Sequence, residues 1–292
     1  MPRLRTLTPA DLPRLAELVA QAGWNQTASD LRRFLALGGN GCIGIERDGR
    51  LVGTTIAFVF PPLASLTPQA SSLKPSAWIA MVLVDAQCRG GGLGRALLEH
   101  ALNYCDAAGC RAVQLDATPL GRPLYEKLGF VREYDLLRTL GVPQATTAAV
   151  ESDISITTAA TLEELAEFDL RHTGIDRRAL LEHLLAEEPQ SLRVVRSGSE
   201  LAGYLLSRPG RNARMIGPAL ARLAAGRRLL DDALRRYAGE RVIVDVPCDH
   251  PALQRTQAHG LTVERPLVRM RRGPVIAARV DYLWASSGPE KG

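Results

Sequence analysis

The chain has 292 residues, 46% of them hydrophobic and 23% charged, a globular composition that excludes disordered, collagenous and disulfide-scaffold classes. That length predicts two domains rather than one. Lysine plus arginine total 36 against 31 acids, a formal +5 that divides nearly evenly between the halves, so neither half reads as a nucleic-acid-binding domain.

In chain order, Leu4 to Leu7 is a strand candidate, and Thr8-Pro9 opens a helix whose apolar face carries Leu12, Leu15, Leu18 and Val19. A second helix starts at Thr27 or Ser29. Gly41 to Arg47 and Leu51 to Val59 flank Asp48-Gly49, a hairpin signature. A Pro- and Ser-rich loop from Pro61 to Pro75 comes next, then a buried strand, Ala77 to Val84, which ends in a glycine cluster and a helix from Leu93 to Ala107. Ala112 to Ala117 reads as a strand, Leu124 to Leu128 as a short helix stopped by Gly129, and Phe130 to Leu140 as a last strand. The first half is therefore mixed α/β.

The second half repeats this order at a fixed offset. At 150 residues, Thr8, Ala10, Leu12, Leu15, Ala16 and Glu17 recur as Thr158, Ala160, Leu162, Leu165, Ala166 and Glu167. Leu51 and Gly53 recur as Leu201 and Gly203. At 132, Arg95, Leu97, Leu98, Ala101 and Leu102 match Arg227, Leu229, Leu230, Ala233 and Leu234. The pattern predicts a tandem duplication: a first domain over 1–142, a linker over 143–152 and a second domain over 153–292. The five cysteines have no Cys-x-x-Cys spacing and the five histidines no ligand spacing, so no metal site is expected. No apolar run reaches the ~18 residues that span a bilayer; with reduced thiols, the expected location is cytoplasmic, away from membranes.

Val82-Leu83-Val84-Asp85-Ala86-Gln87-Cys88-Arg89-Gly90-Gly91-Gly92-Leu93-Gly94-Arg95 joins a strand end, three consecutive glycines and a helix start. Unpaired N–H groups at a helix N-terminus attract phosphate oxygens, and glycine lets those oxygens reach the backbone. The lysine and Ser/Thr of a nucleotide-triphosphatase loop are missing, and the strand lies too late in the order for a dinucleotide fingerprint.

Arg89-Gly90-Gly91-Gly92-Leu93-Gly94 resembles the acetyl-CoA loop of the GNAT N-acetyltransferase superfamily, Arg/Gln-x-x-Gly-x-Gly/Ala. Leu124-Tyr125-Glu126-Lys127-Leu128-Gly129-Phe130 is similar to a second segment of that family. The resemblance covers residues 3–140, and the whole chain resembles tandem GNAT proteins with a drifted C-terminal copy. It implies two tandem domains, each a central, mostly antiparallel sheet flanked by helices. It further implies acetyl-CoA as cosubstrate and a small-molecule amine as acceptor; the evenly spread charge predicts no nucleic-acid partner, and a monomer or homodimer is expected. A binding module that senses acyl-CoA without catalysis, a longer acyl group and a protein-lysine acceptor are the alternatives.

By this resemblance the diphosphate rests on N–H groups from Gly90 to Arg95, with Arg89 heading the loop. Pantetheine lies beside Val82, Leu83 and Val84, and the Val82 N–H polarises the thioester carbonyl. Tyr125 is the candidate general acid for the departing thiolate, the other reading being that it packs against or hydrogen-bonds the cofactor sulfur. Asp116, Asp85 and water are the candidates for the amine's proton, Asp85 reading first as structural. Trp24, Asn25 or Gln26, and Trp78 would wall the acceptor pocket, the alternative for each tryptophan being core. In the second copy the glycine loop lands on Ala221-Arg222-Leu223-Ala224-Ala225-Gly226 and Tyr125 on Thr256, so chemistry is assigned to the first half. Asp176, Arg177 or Met215 to Pro218 would give the second copy an acceptor, assembly or structural role, and Arg269, Arg271 and Arg272 read as a solvated strand edge.

Overall fold

The computed structural model describes residues 2–62, 74–144 and 154–290. Most of the loop expected at Pro61 to Pro75 and of the linker expected over 143–152 lies outside the described residues. The chain divides into two compact units, Met1–Arg132 with Met270–Val275, and Glu133–Arg269 with Ile276–Glu290.

In unit 1 the short polar residues set the helix starts. Thr27 caps α2 (Ala28–Gly38) reciprocally: its hydroxyl accepts from the Asp30 N–H at 3.2 Å, and the Asp30 carboxylate accepts from the Thr27 N–H at 2.8 Å. Helix α1 (Leu12–Gln21) precedes it. Strands β1 (Arg3–Thr6), β2 (Cys42–Arg47), β3 (Arg50–Phe60) and β4 (Ser76–Val84) pair antiparallel in that order, and β5 (Ala112–Ala117) joins β4 in parallel. Helix α3 (Leu93–Ala107) buries Leu93, Leu97, Leu98, Ala101 and Leu102, one stripe at helical spacing. Helix α4 runs Arg122–Lys127, two residues ahead of the expected start, because Pro123 suits a first turn. Leu15, Leu18, Phe34, Ile56, Trp78 and Leu83 share one apolar cluster.

Unit 2 holds α5 (Leu162–Thr173), α6 (Arg178–Glu187), β7 (Arg193–Ser197), β8 (Glu200–Arg208), β9 (Arg214–Ala221), α7 (Leu223–Arg236), β10 (Val242–Pro247), α8 (Pro251–Ala258), β11 (Thr262–Arg272) and β12 (Leu283–Ala285). With β6 running Val131–Gly141, its strand order is β11-β6-β10-β9-β8-β7, and β12 lies beside β9. Strand β6 (Val131–Gly141), expected to finish the first half, lies in unit 2 from Glu133 onward. It pairs antiparallel with β10 from Leu136↔Pro247 to Gly141↔Val242, and Arg138 holds Asp245 through two bonds of 2.8 Å.

The repeat is visible in detail. Helices α1 and α5 begin at Leu12 and Leu162, and both hairpins carry a bulge at the same place, with Val52 or Ala202 as the extra residue. The counterpart of β1 is reduced to one bridge, Thr157↔Val194. Among the described residues no helix is long and apolar enough to cross a membrane. Arg269 departs from the solvated edge expected for it: β11 lies beside β6, and Arg269, 7% exposed, stacks over the Tyr134 ring at 5.3 Å.

A Cβ on Gly226 of α7 would stand 1.9 Å from Nε1 of the fully buried Trp284. Glycine to alanine in an exposed helix gains about 1 kcal/mol. Here it must displace an indole, so Gly226→Ala is expected to lose about 1–3 kcal/mol, read as a lower urea midpoint at unchanged slope. An equal or higher midpoint would refute this packing.

Candidate active site

Strands β4 and β5 pair only at Ser76↔Ala112, Ala77↔Val113 and Trp78↔Gln114, and then part. On the other side of β4 the register with β3 shifts between Thr54↔Leu83 and Ile56↔Ala80, so Met81 and Val82 together oppose Thr55. Met81 has φ 53°, left-handed backbone that side chains seldom adopt. Two buried β3 hydroxyls brace the bulge: Thr54 donates to the Met81 carbonyl at 2.8 Å and Thr55 to the Ala80 carbonyl at 3.4 Å. A bulge re-aims the backbone beside it. Val82 and Val84 are half-buried while Leu83 is buried, so the two valines share the more open face.

After β4 the chain turns through Gly90 (φ 84°) and Gly92 (φ 75°), the latter capping α3 with no side-chain hydrogen bond. The N–H groups of the first turn have no acceptor within the helix and stand at its positive end. A Cβ on Gly90 or Gly92 would meet nothing within 4 Å, and one on Gly91 only the Cys88 carbonyl at 4.0 Å. Backbone conformation therefore requires glycine at 90 and 92, and the loop presents bare amides, a cradle that fits a diphosphate. Arg89 is exposed, its Nε donating to the Val84 carbonyl at 3.2 Å; Arg95 pairs with Glu99 at 2.8 Å. A Cβ on Gly94 would lie 3.8 Å from both Val84 and Leu124, so Gly94 is where the end of β4, the start of α3 and helix α4 meet.

Tyr125 comes after Leu124 on α4, half-buried, with its ring edge-on to Phe130 at 6.0 Å. Burial pushes its phenol up to about 12, so Oη keeps its proton at neutral pH. Gly121 seats the ring, since a Cβ there would come within 2.9 Å of it. Gly121 lies outside both sequence motifs; its position four residues before Tyr125, on one helix face, is the signal that marks it. Asp116 is half-buried in the length of β5 beyond its last pairing with β4.

Trp78 is 1% exposed inside the unit 1 core, and half-buried Trp24 packs against the same cluster. Asn25 is buried beside Trp24, and Gln26 keeps a buried Oε1 with no hydrogen-bond partner among the described residues. Asp85 is structural. Its carboxylate accepts from the Gln87 N–H at 3.1 Å and from the Arg14 guanidinium, with Arg50 at 3.8 Å. The Gln87 N–H first, then Arg14 and Arg50, hold it below the usual carboxylate range, which leaves it a poor proton acceptor.

The corresponding parting in unit 2 is filled. Strands β9 and β10 pair only from Arg214↔Val242 to Ile216↔Val244, and β12 runs alongside β9 with Leu283↔Leu220 and Ala285↔Ala219. The Ser286 N–H continues onto the Asp245 carbonyl of β10 at 2.8 Å. Counting from the strand ends that face Gly53 and Gly203, Leu220 and Ala219 are the counterparts of Leu83 and Val82. The bulge here is Gly217-Pro218 against Leu206, and Pro218 has no N–H. Arg177 and Met215 to Pro218 are buried: Arg177 grips Asp169 at 2.9 and 2.6 Å, and the Asp176 carboxylate accepts from the Arg178 N–H at 3.0 Å. His172 stacks on Tyr282 at 4.1 Å, and His259 contacts Asp231 at 3.2 Å.

Asp85→Asn tests the anchoring of the loop and is expected to cost about 1–3 kcal/mol at pH 7. Because the folded carboxyl titrates below its unfolded value, its contribution is full above about pH 4 and is lost as pH falls through the folded value. Urea midpoints of wild type and variant should therefore converge below about pH 4; a constant gap would contradict the assignment.

Residues 10–130 match the profile described as Acetyltransferase (GNAT) family, and residues 165–285 that described as Acetyltransferase (GNAT) domain. A holothin acyltransferase of Pseudoalteromonas sp. is 32% identical over 142 residues, 49% of this chain and 47% of that protein. The glucosamine 6-phosphate N-acetyltransferase of Trypanosoma brucei brucei is 34% identical over 82 residues, 28% of this chain and 52% of that protein. The matches thus span about half of these relatives' own lengths. The crystal structure of a Pyrococcus horikoshii protein put forward as an acetyltransferase superposes with TM-score 0.80 at 21% identity, covering 100% of this chain and 96% of that one. With both halves matched separately, the chain belongs to the GNAT acetyltransferase family and carries two tandem GNAT domains.

Proposed function

We propose that unit 1 is the single catalytic unit of an acetyl-CoA-dependent N-acetyltransferase, acting on the primary amine of a small-molecule acceptor by direct attack in a ternary complex in the cytoplasm. The observation that carries the reading is the parting of β4 from β5 beside a bulge, directly ahead of a glycine-built helix start. Bound acetyl-CoA would supply the activated acyl group as a thioester. Gly90 to Arg95 would hold its diphosphate with main-chain N–H groups, and Val82 to Val84 would pair with pantetheine as a strand does. The Val82 N–H would donate to the carbonyl oxygen undergoing attack, a contribution of about 3 kcal/mol for one such donor.

Tyr125 holds its proton on Oη at neutral pH and is the proposed donor to the departing thiolate. Asp116 is the proposed acceptor of the amine's proton. Trp24 and Asn25 are the proposed acceptor-side residues; Trp78, expected beside them, is sealed in the core and leaves no surface to wall a pocket. The small-amine class is supported by the relative named for glucosamine 6-phosphate.

Thiol release from acetyl-CoA over a panel of amines is expected to fall about 10²–10⁴-fold in kcat for Tyr125→Phe, with KM for acetyl-CoA little changed. Gly121→Ala, which crowds the ring and leaves the phenol, should lower kcat without shifting the urea midpoint. Calorimetric titration should give one CoA per chain. Two equivalents, or full turnover in Tyr125→Phe, would sink the proposal, as would acylation confined to protein lysines.

A further inference from the structure

Unit 2 has a shallow cavity, wide open to solvent, of about 590 Å³ lined by Arg193, Arg228, Asp232, Arg235 and Arg236. Arg193 opens β7, and the other four recur along one face of α7. We infer that this cavity is a binding site for a small, multiply charged oxyanion of the phosphate class.

The way these guanidinium groups are held sets them apart. Elsewhere in unit 2 three arginines are each held by both oxygens of one carboxylate: Arg138 by Asp245, Arg177 by Asp169 and Arg255 by Asp231, each through two hydrogen bonds of 2.6 to 2.9 Å. In the cavity the fixing acceptors are neutral. Arg193 donates to the Gln190 and Leu192 carbonyls at 3.0 and 2.6 Å, and Arg236 to the Gln190 and Ser191 carbonyls at 3.3 and 3.2 Å. Arg236 also stacks on Tyr237 at 4.7 Å, and Arg235 donates from Nε to the Asp231 carbonyl at 3.2 Å.

These contacts position charge without neutralising it. Asp232, among the described residues the one carboxylate lining the cavity, makes long ion pairs with Arg193 at 3.6 Å and Arg228 at 3.9 Å, beyond hydrogen-bond distance of either, and so offsets only part of the charge. Nη2 of Arg235, Nε of Arg236 and Oδ2 of Asp232 are buried without hydrogen-bond partners among the described residues. The Arg193 and Arg228 side chains are 20% and 23% exposed, so much of their surface faces protein, where charge is felt more strongly than in bulk water. Desolvation, helped by Arg193 and Arg214, draws the Arg236 guanidinium below its ordinary value. Four cations against one carboxylate leave an unbalanced positive cavity, and planar guanidinium forks match the oxygens of phosphate. The site does not depend on the catalytic reading of unit 1.

Calorimetric titration of the full chain at low salt with inorganic pyrophosphate tests the site, and glucose 6-phosphate distinguishes a free anion from phosphate on an organic body. Binding of either probe is expected to weaken about tenfold or more in the Arg228→Ala/Arg235→Ala double variant. It should persist in Gly92→Val, which blocks the unit 1 loop. Asp232→Asn, which removes only the opposing charge, should tighten binding and keeps the test decisive if the double variant misfolds. Binding lost in Gly92→Val but retained in the arginine variant would overturn the proposal. So would no binding of either probe, or Asp232→Asn leaving affinity unchanged or weaker.

Discussion

The parting of two parallel strands is the constraint on which both units turn. Backbone N–H and C=O groups must find partners, and in a sheet the neighbouring strand normally supplies them. Strand β4 keeps β5 as that partner for three residue pairs and then turns away, with the Met81–Val82 bulge next to the divergence. The bulge is tied in place by hydroxyls from Thr54 and Thr55 rather than by apolar packing alone. Divergence and bulge together leave a stretch of main chain able to hydrogen-bond an extended partner, continuous with a helix start that favours negative charge.

Unit 2 meets the same constraint with its own chain. Strand β12 supplies the missing partner to β9, and the residues after it lock the segment down: Ser287 lies 3.4 Å from Arg177, and Glu290 pairs with buried Arg208. Trp284, wholly buried, fills the space that Gly226 leaves on α7. A segment tethered to the site it occupies competes at a high effective concentration, so a diffusing ligand is disfavoured there whatever its chemistry. Loss of the glycine loop in this copy therefore goes with a structural difference: the strand edge left open in unit 1 is taken in unit 2 by the chain's own β12.

Local signals carried far in the sequence. The bounds of α3 and β5 were legible to the residue, because a periodic apolar stripe and an apolar run were each closed by glycine or turn residues. The offset of 150 predicted the shared starts of α1 and α5 and the two hairpins. Pairing choices were not legible. Nothing in Phe130 to Leu140 reveals that its partner is β10, since Arg138 and Asp245 are 107 positions apart. The bulge at Met81 leaves no periodic trace, and Leu283 to Ala285 is too short to read as a strand. Asp85 could be suspected of a structural role, but Arg14, the cation that fixes it, lies 71 positions away.

Helices α3 and α7 occupy matching places in the two units and carry their positive groups differently. In α3 the N-terminus presents bare amides through Gly90 to Gly92, and the flank is ordinary: Arg95 is exposed and answered by Glu99 one turn on. In α7 the cap is Arg222 in extended backbone, and the glycines are gone apart from Gly226, which faces Trp284. Its flank instead carries Arg228, Arg235 and Arg236 at helical spacing, with Asp232 too distant from Arg193 and Arg228 to hydrogen-bond either. Main-chain dipoles act at the end of a helix and fade within a turn, whereas guanidinium charge acts wherever the side chain is held. On α7 the positive charge thus lies not at the end of the helix but along its side, where neutral carbonyls fix Arg193 and Arg236 and Asp232 ion-pairs Arg193 and Arg228 only at long range.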